Sequence, residues 1–143
     1  MQTAQSIQAG TTSVSDHVSL DYDARFLRRR VITTLAGTKI LVDLPRTTSL
    51  SHGDALETVD GKLVGVIAAP EPLLEITGSD LHRIAWHVGN RHTPCQIEAA
   101  RLLIQRDAVI ADMLTRLGAD VREVTEPFTP EGCLLYTSDA ADE

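Results

Sequence analysis

Five histidines, two cysteines and a scatter of carboxylates are the residues of this 143-residue chain that could hold a metal ion or move a proton. Imidazole suits Ni²⁺, Zn²⁺ and Cu²⁺, ions that take about four to six ligands, so a histidine matters most where other ligands converge on it. His17 and His52 have no second ligand near them in sequence and read as surface or turn residues. The other three cluster in Leu81-His82-Arg83-Ile84-Ala85-Trp86-His87-Val88-Gly89-Asn90-Arg91-His92. On an ideal helix His82 and His87 stand about 140° apart, which makes sharing one ion difficult. There is no His-Glu-x-x-His pair and no zinc spacing of cysteines. His92 falls just past the helix these residues predict. A histidine there is a cap or structural hydrogen bonder, or a ligand if symmetry supplies a second copy. Near the axis of a two-fold dimer a residue meets its own twin, so His92 could pair with the partner's His92. Periodicity and spacing do not show that such a dimer exists.

Enzyme chemistry finds little footing. There is no glycine-rich phosphate loop, and Cys95 belongs to no Cys-His pattern. Asp107 and Asp112 lie on a predicted helix and face solvent; a small hydrolase built on His92 and Asp107 has no supporting motif. The formal charge of −7 argues against a nucleic-acid binder, which needs a basic surface to displace counterions. The run Arg28-Arg29-Arg30 could contact an acidic partner, or protect an edge strand by its charge. No apolar run is long enough to cross a bilayer and no signal peptide opens the chain, so a cytoplasmic protein with reduced thiols and no membrane contact is expected.

The elements that must position these residues fall into two modules. Residues 1–15, rich in Gln, Ser and Thr, read as a flexible N-terminus. Residues 16–70 read as a small all-β domain. Val31-Ile32-Thr33-Thr34-Leu35 and Lys39-Ile40-Leu41-Val42-Asp43-Leu44 form a hairpin, with Pro45 ending its second strand. Asp60-Gly61 signals a second hairpin between residues 54–59 and 62–68, with positive φ wanted at both turn positions. Ala69-Pro70-Glu71-Pro72 reads as a linker. Beyond it the order is strand, helix, two strands, helix, strand, the ferredoxin-like βαββαβ pattern of an α+β domain over residues 71–132. Ser79 is the expected N-cap of the first helix, with Leu81, Ile84, Ala85 and Val88 on its buried face and Gly89-Asn90 as its left-handed exit. Val109, Ile110, Met113, Leu114 and Leu117 mark the second helix, closed by Gly118.

Residues 133–143 break the pattern before them. One back-translation of Cys133-Leu134-Leu135-Tyr136-Thr137-Ser138-Asp139-Ala140-Ala141-Asp142 matches a transposon-end sequencing adapter read in frame, so this tail is expected to be non-native. A genuine acidic tail is the alternative.

Trp86-His87-Val88-Gly89-Asn90-Arg91-His92-Thr93-Pro94, with its Gly-Asn-Arg-His core, resembles the signature of the UreE family of urease nickel chaperones. The likeness continues through residues 106–114, Leu117-Gly118-Ala119 and Pro127-Phe128-Thr129-Pro130-Glu131-Gly132, and covers roughly residues 16–132. The resemblance implies an N-terminal protein-contact domain and a homodimer joined through the C-terminal metal-binding domains. It implies a nickel metallochaperone that is no enzyme and delivers Ni²⁺, with Zn²⁺ or Cu²⁺ able to use the same site, to urease during its maturation. The implied partners are the urease GTPase accessory protein and the urease assembly complex, with His92 as the bridging metal ligand. Two departures stand out. Arg106 and Ala108 occupy places where family members often have histidine, and the suspected adapter takes the place where many members carry a His-rich tail. A scaffold of the urease assembly complex with weak or no metal binding is the alternative reading.

Overall fold

The structure is a computed structural model that describes residues 1–9 and 13–130; the expected non-native tail, 133–143, lies outside them. The chain divides into two compact units, Met1–Ala69 and Pro70–Glu143.

The first unit is built from β1 (Gln2–Gln8), β2 (Asp16–Leu20), β3 (Phe26–Thr33), β4 (Lys39–Ser49), β5 (Ala55–Thr58) and β6 (Leu63–Ala68). They form one sheet in the order β2-β6-β5-β1-β4-β3. Just beyond β3, the Leu35 N–H donates to the carbonyl of His17 in β2 at 2.8 Å, which brings the two ends of the strand order together. Val18, Leu27, Ile32, Ile40, Val42, Leu56, Val64 and Val66 pack as the single core of this unit. That core is aliphatic, as the scarcity of aromatic residues requires.

Three expectations are corrected in or beside this unit. Residues 1–15 are not a loose end throughout: β1 runs parallel to β4 and antiparallel to β5, and its Ala4 is fully buried. Its polar residues are the solvent side of a paired strand. Pro45 does not end β4, which continues to Ser49. The β3–β4 register breaks there, between the pairs Leu27–Thr48 and Arg29–Asp43, and an irregular stretch needs no N–H from Pro45. In the β5–β6 turn only Gly61 has positive φ, at +85°, and Asp60 does not. The loop is wider than a two-residue turn, closed by Thr58 N–H to the Lys62 carbonyl at 2.9 Å.

The second unit contains β7 (Pro70–Thr77), α1 (Leu81–Asn90), β8 (Cys95–Ile97), β9 (Leu102–Gln105), α2 (Ala108–Arg116) and β10 (Asp120–Pro127). Its antiparallel sheet has the order β10-β7-β9-β8. The fold is thus an N-terminal β domain followed by a C-terminal α/β domain in the ferredoxin-like arrangement. The expected linker is part of β7, since Pro70, Glu71 and Pro72 pair with Pro127, Glu126 and Thr125. β9 joins β7 only from Leu73 onward, so the prolines stand where one flank of β7 is open and a missing N–H costs no ladder bond.

Both helices lie on one face of this sheet. Ile84 and Val88 of α1 and Ile110 and Leu114 of α2 pack with Leu74, Ile76, Leu102 and Ile104. The face is apolar because strand residues two apart and helix residues four apart point the same way. The other face carries an ionic clamp. Arg101 donates to Glu75 (2.9 Å), Glu98 (3.0 Å) and both carboxylate oxygens of Glu126 (2.8 Å each), and so ties β7, the β8–β9 turn and β10 together. Glu126, Glu98 and Glu75 raise the Arg101 pKa still further above its ordinary value, and Arg101 holds the Glu126 carboxyl below its own.

Candidate metal centre

α1 determines where the histidine cluster goes. Asp80, rather than Ser79, is its N-cap: the carboxylate accepts from Arg83 N–H at 3.4 Å, one residue nearer the apolar face than expected. With Ile84 and Val88 turned to the core, the opposite side of α1 presents His82, Arg83, Trp86 and Asn90 to solvent. Trp86, the only tryptophan, is 63% exposed, and its ring meets His87 edge-on at 5.0 Å.

The helix exit lies two residues later than the sequence suggested. Gly89 and Asn90 are still helical, and Arg91 is the C-cap. The residue that takes the left-handed conformation is His92 itself, at φ +56°. Its N–H donates to the Gly89 carbonyl at 3.0 Å, and Arg91 N–H to Val88 at 3.1 Å. Glycine ordinarily fills such a position because a side chain there crowds the following carbonyl. Among the described residues His92 is the sole non-glycine with positive φ. The turn is also tethered: Arg91 Nε donates to Met113 Sδ of α2 at 2.9 Å. An exposed imidazole therefore sits on a defined but strained backbone at the rim of the second unit.

The remaining candidates are engaged elsewhere. His52 Nδ1 accepts from Ala68 N–H at 3.0 Å, closing a turn onto β6. The His17 ring covers Gly65, where an added Cβ would lie 2.9 Å from it. Cys95 packs half-buried against the core of the second unit. Asp107 does not simply face solvent: its carboxylate caps α2, accepting from Val109 N–H (2.9 Å) and Ile110 N–H (3.0 Å). Asp112 pairs with Arg116 at 3.0 Å. Arg106, at one of the positions where the resemblance would favour histidine, donates to the carbonyls of Leu73 (3.2 Å) and Val124 (3.1 Å). Ala108 begins α2. Among the described residues no group of three or more His, Cys, Asp or Glu converges as a metal site. A metal shell on His92 would need ligands beyond those that the described residues bring together.

A cavity of about 240 Å³ in the first unit is lined by Asp16, Thr34, Thr58 and Lys62, among others. Its polar groups already serve the fold. Thr34 Oγ1 accepts from Thr38 N–H and bonds Asp16, lowering that carboxyl's pKa, while Thr58 does the same for Asp60. No described helix is long and apolar enough to cross a membrane.

Two features were missed from sequence. The Arg91–Met113 tether joins residues 22 apart and leaves no local signal. The left-handed turn did leave one, the Gly89-Asn90 pair, but that signal pointed two residues early.

Comparison with known proteins places these observations. The family model described as UreE urease accessory protein, C-terminal domain, matches residues 71–142, and the corresponding N-terminal domain model matches residues 2–69. A urease accessory protein UreE from Ruegeria pomeroyi is 62% identical over 121 residues, spanning 85% of this chain and 81% of the relative. A protein of the same name from Ruegeria sp. is 64% identical over 120 residues, 84% of this chain and 68% of the relative. Another from Rhodobacter capsulatus is 53% identical over 122 residues, 85% and 78% respectively.

Proposed function

This chain belongs to the UreE family of urease accessory proteins, and from that premise we propose that it carries Ni²⁺ as cargo for insertion into urease. The observation that carries the reading is His92: exposed, held on a left-handed backbone, and with no group of three or more candidate ligands converging among the described residues. A residue kept in a costly conformation while its side chain stays exposed suggests a functional constraint. Two such residues meeting across a two-fold axis give a shared pair of nitrogen ligands. Water or side chains of a receiving protein complete the shell. That incompleteness suits a carrier, because an incoming ligand can bind before the old ones leave.

The working form is therefore a homodimer joined through the C-terminal domains, acting in the cytoplasm. The urease GTPase accessory protein and the urease assembly complex receive the metal. No bond-making step is needed, so the chain acts as a chaperone and not as an enzyme. Zn²⁺ and Cu²⁺ fit the same nitrogen pair, since imidazole does not by itself select nickel.

A second reading is favoured by Arg106 and Ala108. With Arg106 committed to two backbone carbonyls, the second helix adds no histidine, and a scaffold with little metal binding becomes a coherent alternative. Calorimetric titration of the full chain with Ni²⁺, with His92→Ala in parallel and light scattering to fix the oligomer, separates the two. Carriage predicts about one ion per dimer, lost in the variant. A dimer that takes up no nickel in either form supports the scaffold.

A further inference from the structure

The turn that carries His92 is fastened through a group that can be oxidised. Arg91 Nε donates to Met113 Sδ at 2.9 Å, and this bond ties the exit of α1 to α2. Of the two methionines in the chain, Met1 stands at its start and Met113 lies within α2. Met113 is half-buried against the core that the two helices share, while Arg91 is exposed. The sulfur that Arg91 reaches therefore stands at the margin of that core, within reach of a small oxidant. A thioether sulfur carries two lone pairs, and one of them accepts from Arg91. The other can attack a peroxide.

We propose that Met113 is an oxidation site whose state sets how firmly the His92 turn is held. The oxidant is hydrogen peroxide. A sulfur lone pair attacks one peroxide oxygen, so that an S–O bond forms and the O–O bond breaks. The departing hydroxide takes the proton left on the transferred oxygen and leaves as water. Sulfur is oxidised by two electrons to the sulfoxide, and the peroxide is reduced by two. The Arg91 guanidinium beside the sulfur offsets the negative charge that develops on the departing oxygen.

The product does not fit the reduced geometry. An Nε–Sδ distance of 2.9 Å leaves no room for an oxygen between the two atoms. An oxygen turned the other way would enter an apolar core without a donor, which is costly. The cheaper response is retreat of the exposed Arg91. Arg91 precedes His92, and the N–H groups of the two residues hold the turn through the Val88 and Gly89 carbonyls, at 3.1 and 3.0 Å. The His92 backbone is already strained at φ +56°, so it relaxes once Arg91 lets go. The consequence for nickel rests on the carriage proposed above, whereas the loosening of the turn does not.

The test treats the full chain with hydrogen peroxide in chelator. Peptide mass spectrometry follows oxygen gain at Met113, and amide hydrogen exchange by NMR follows Arg91 and His92. Oxidation should speed exchange of both amides by about fivefold or more. Methionine sulfoxide reductases should restore the slow rate, which assigns the change to methionine rather than cysteine. Met113→Leu, of similar volume, should exchange at the oxidised rate from the start and ignore peroxide. Should that variant unfold, the reductase cycle on the parent decides alone. Nickel should bind the oxidised protein about fivefold more weakly than the reduced one. A reduced protein that binds no nickel refutes carriage, and the exchange result still decides the role of Met113. The proposal is overturned if Met113 resists peroxide that converts Met1, or if its sulfoxide leaves the two amides unchanged. Exchange in Met113→Leu as slow as in the reduced parent overturns it too. Unchanged nickel affinity after the turn has loosened overturns the consequence for metal.

Discussion

Replacing His92 by glycine should make the protein more stable while removing the proposed metal ligand. At φ +56° an L-residue bears about 1–2 kcal/mol of crowding that glycine escapes. Glycine gives back about 0.4–1 kcal/mol through the extra freedom of the unfolded chain. The net gain centres on about 0.8 kcal/mol. For a unit of about 60 residues, with an unfolding entropy of about 0.13 kcal/mol/K, that corresponds to a rise in melting temperature of about 6 °C. His92→Ala keeps the crowding and should melt at or below the parent. The comparison is made by scanning calorimetry in chelator, so that bound metal does not stabilise the parent selectively. Trp86, the only tryptophan, gives a signal specific to the second unit. Both variants should lose nickel binding. A glycine variant that melts no higher than the alanine variant refutes the claim that His92 is held against its backbone preference. One that binds nickel like the parent removes His92 from the site.

Other outcomes follow from the same geometry. Arg101→Met leaves Glu75, Glu98 and Glu126 facing one another half-buried, and should cost about 1–3 kcal/mol in urea denaturation. The Glu126 carboxyl is depressed by Arg101, so its contribution is present above its ordinary value near 4.5 and lost as pH falls through the lowered one. The parent should therefore lose stability in acid more steeply than Arg101→Met. Arg106→Ala frees the Leu73 and Val124 carbonyls and should cost about 1–2 kcal/mol without changing nickel stoichiometry, as read by melting and titration. Asp107→Ala removes the cap of α2 and should lower stability by about 1 kcal/mol, seen as a lower urea midpoint.

Both helices of the second unit were legible because a helix writes its buried face into residues three and four apart. Leu81, Ile84, Ala85 and Val88 did so, and so did Ile110 and Leu114. Gly118, at φ +89°, closes α2 as its position indicated. Strands whose partners are close in sequence were legible too, through the turns around Gly37 and Gly61. β1 was not. Its single fully buried residue is Ala4, and its pairing with β4 and β5 joins segments some 40 to 50 residues apart. A polar strand has no local reason to be ordered; its partners supply one.

The candidate site divides along the same line. The sequence by itself determined that His92 is the histidine to examine, because the Gly-Asn-Arg-His run is local and residue-specific. It also determined the two-module order, since the change from strand texture to helical periodicity is written residue by residue. Only the tertiary structure decided that α1 runs two residues further than its glycine suggested, that the left-handed turn falls on His92, and that Arg91 is tied to α2. It likewise decided that Arg106 is spent on the carbonyls of Leu73 and Val124. These outcomes depend on which distant groups arrive beside a residue, and packing settles that over the whole chain at once.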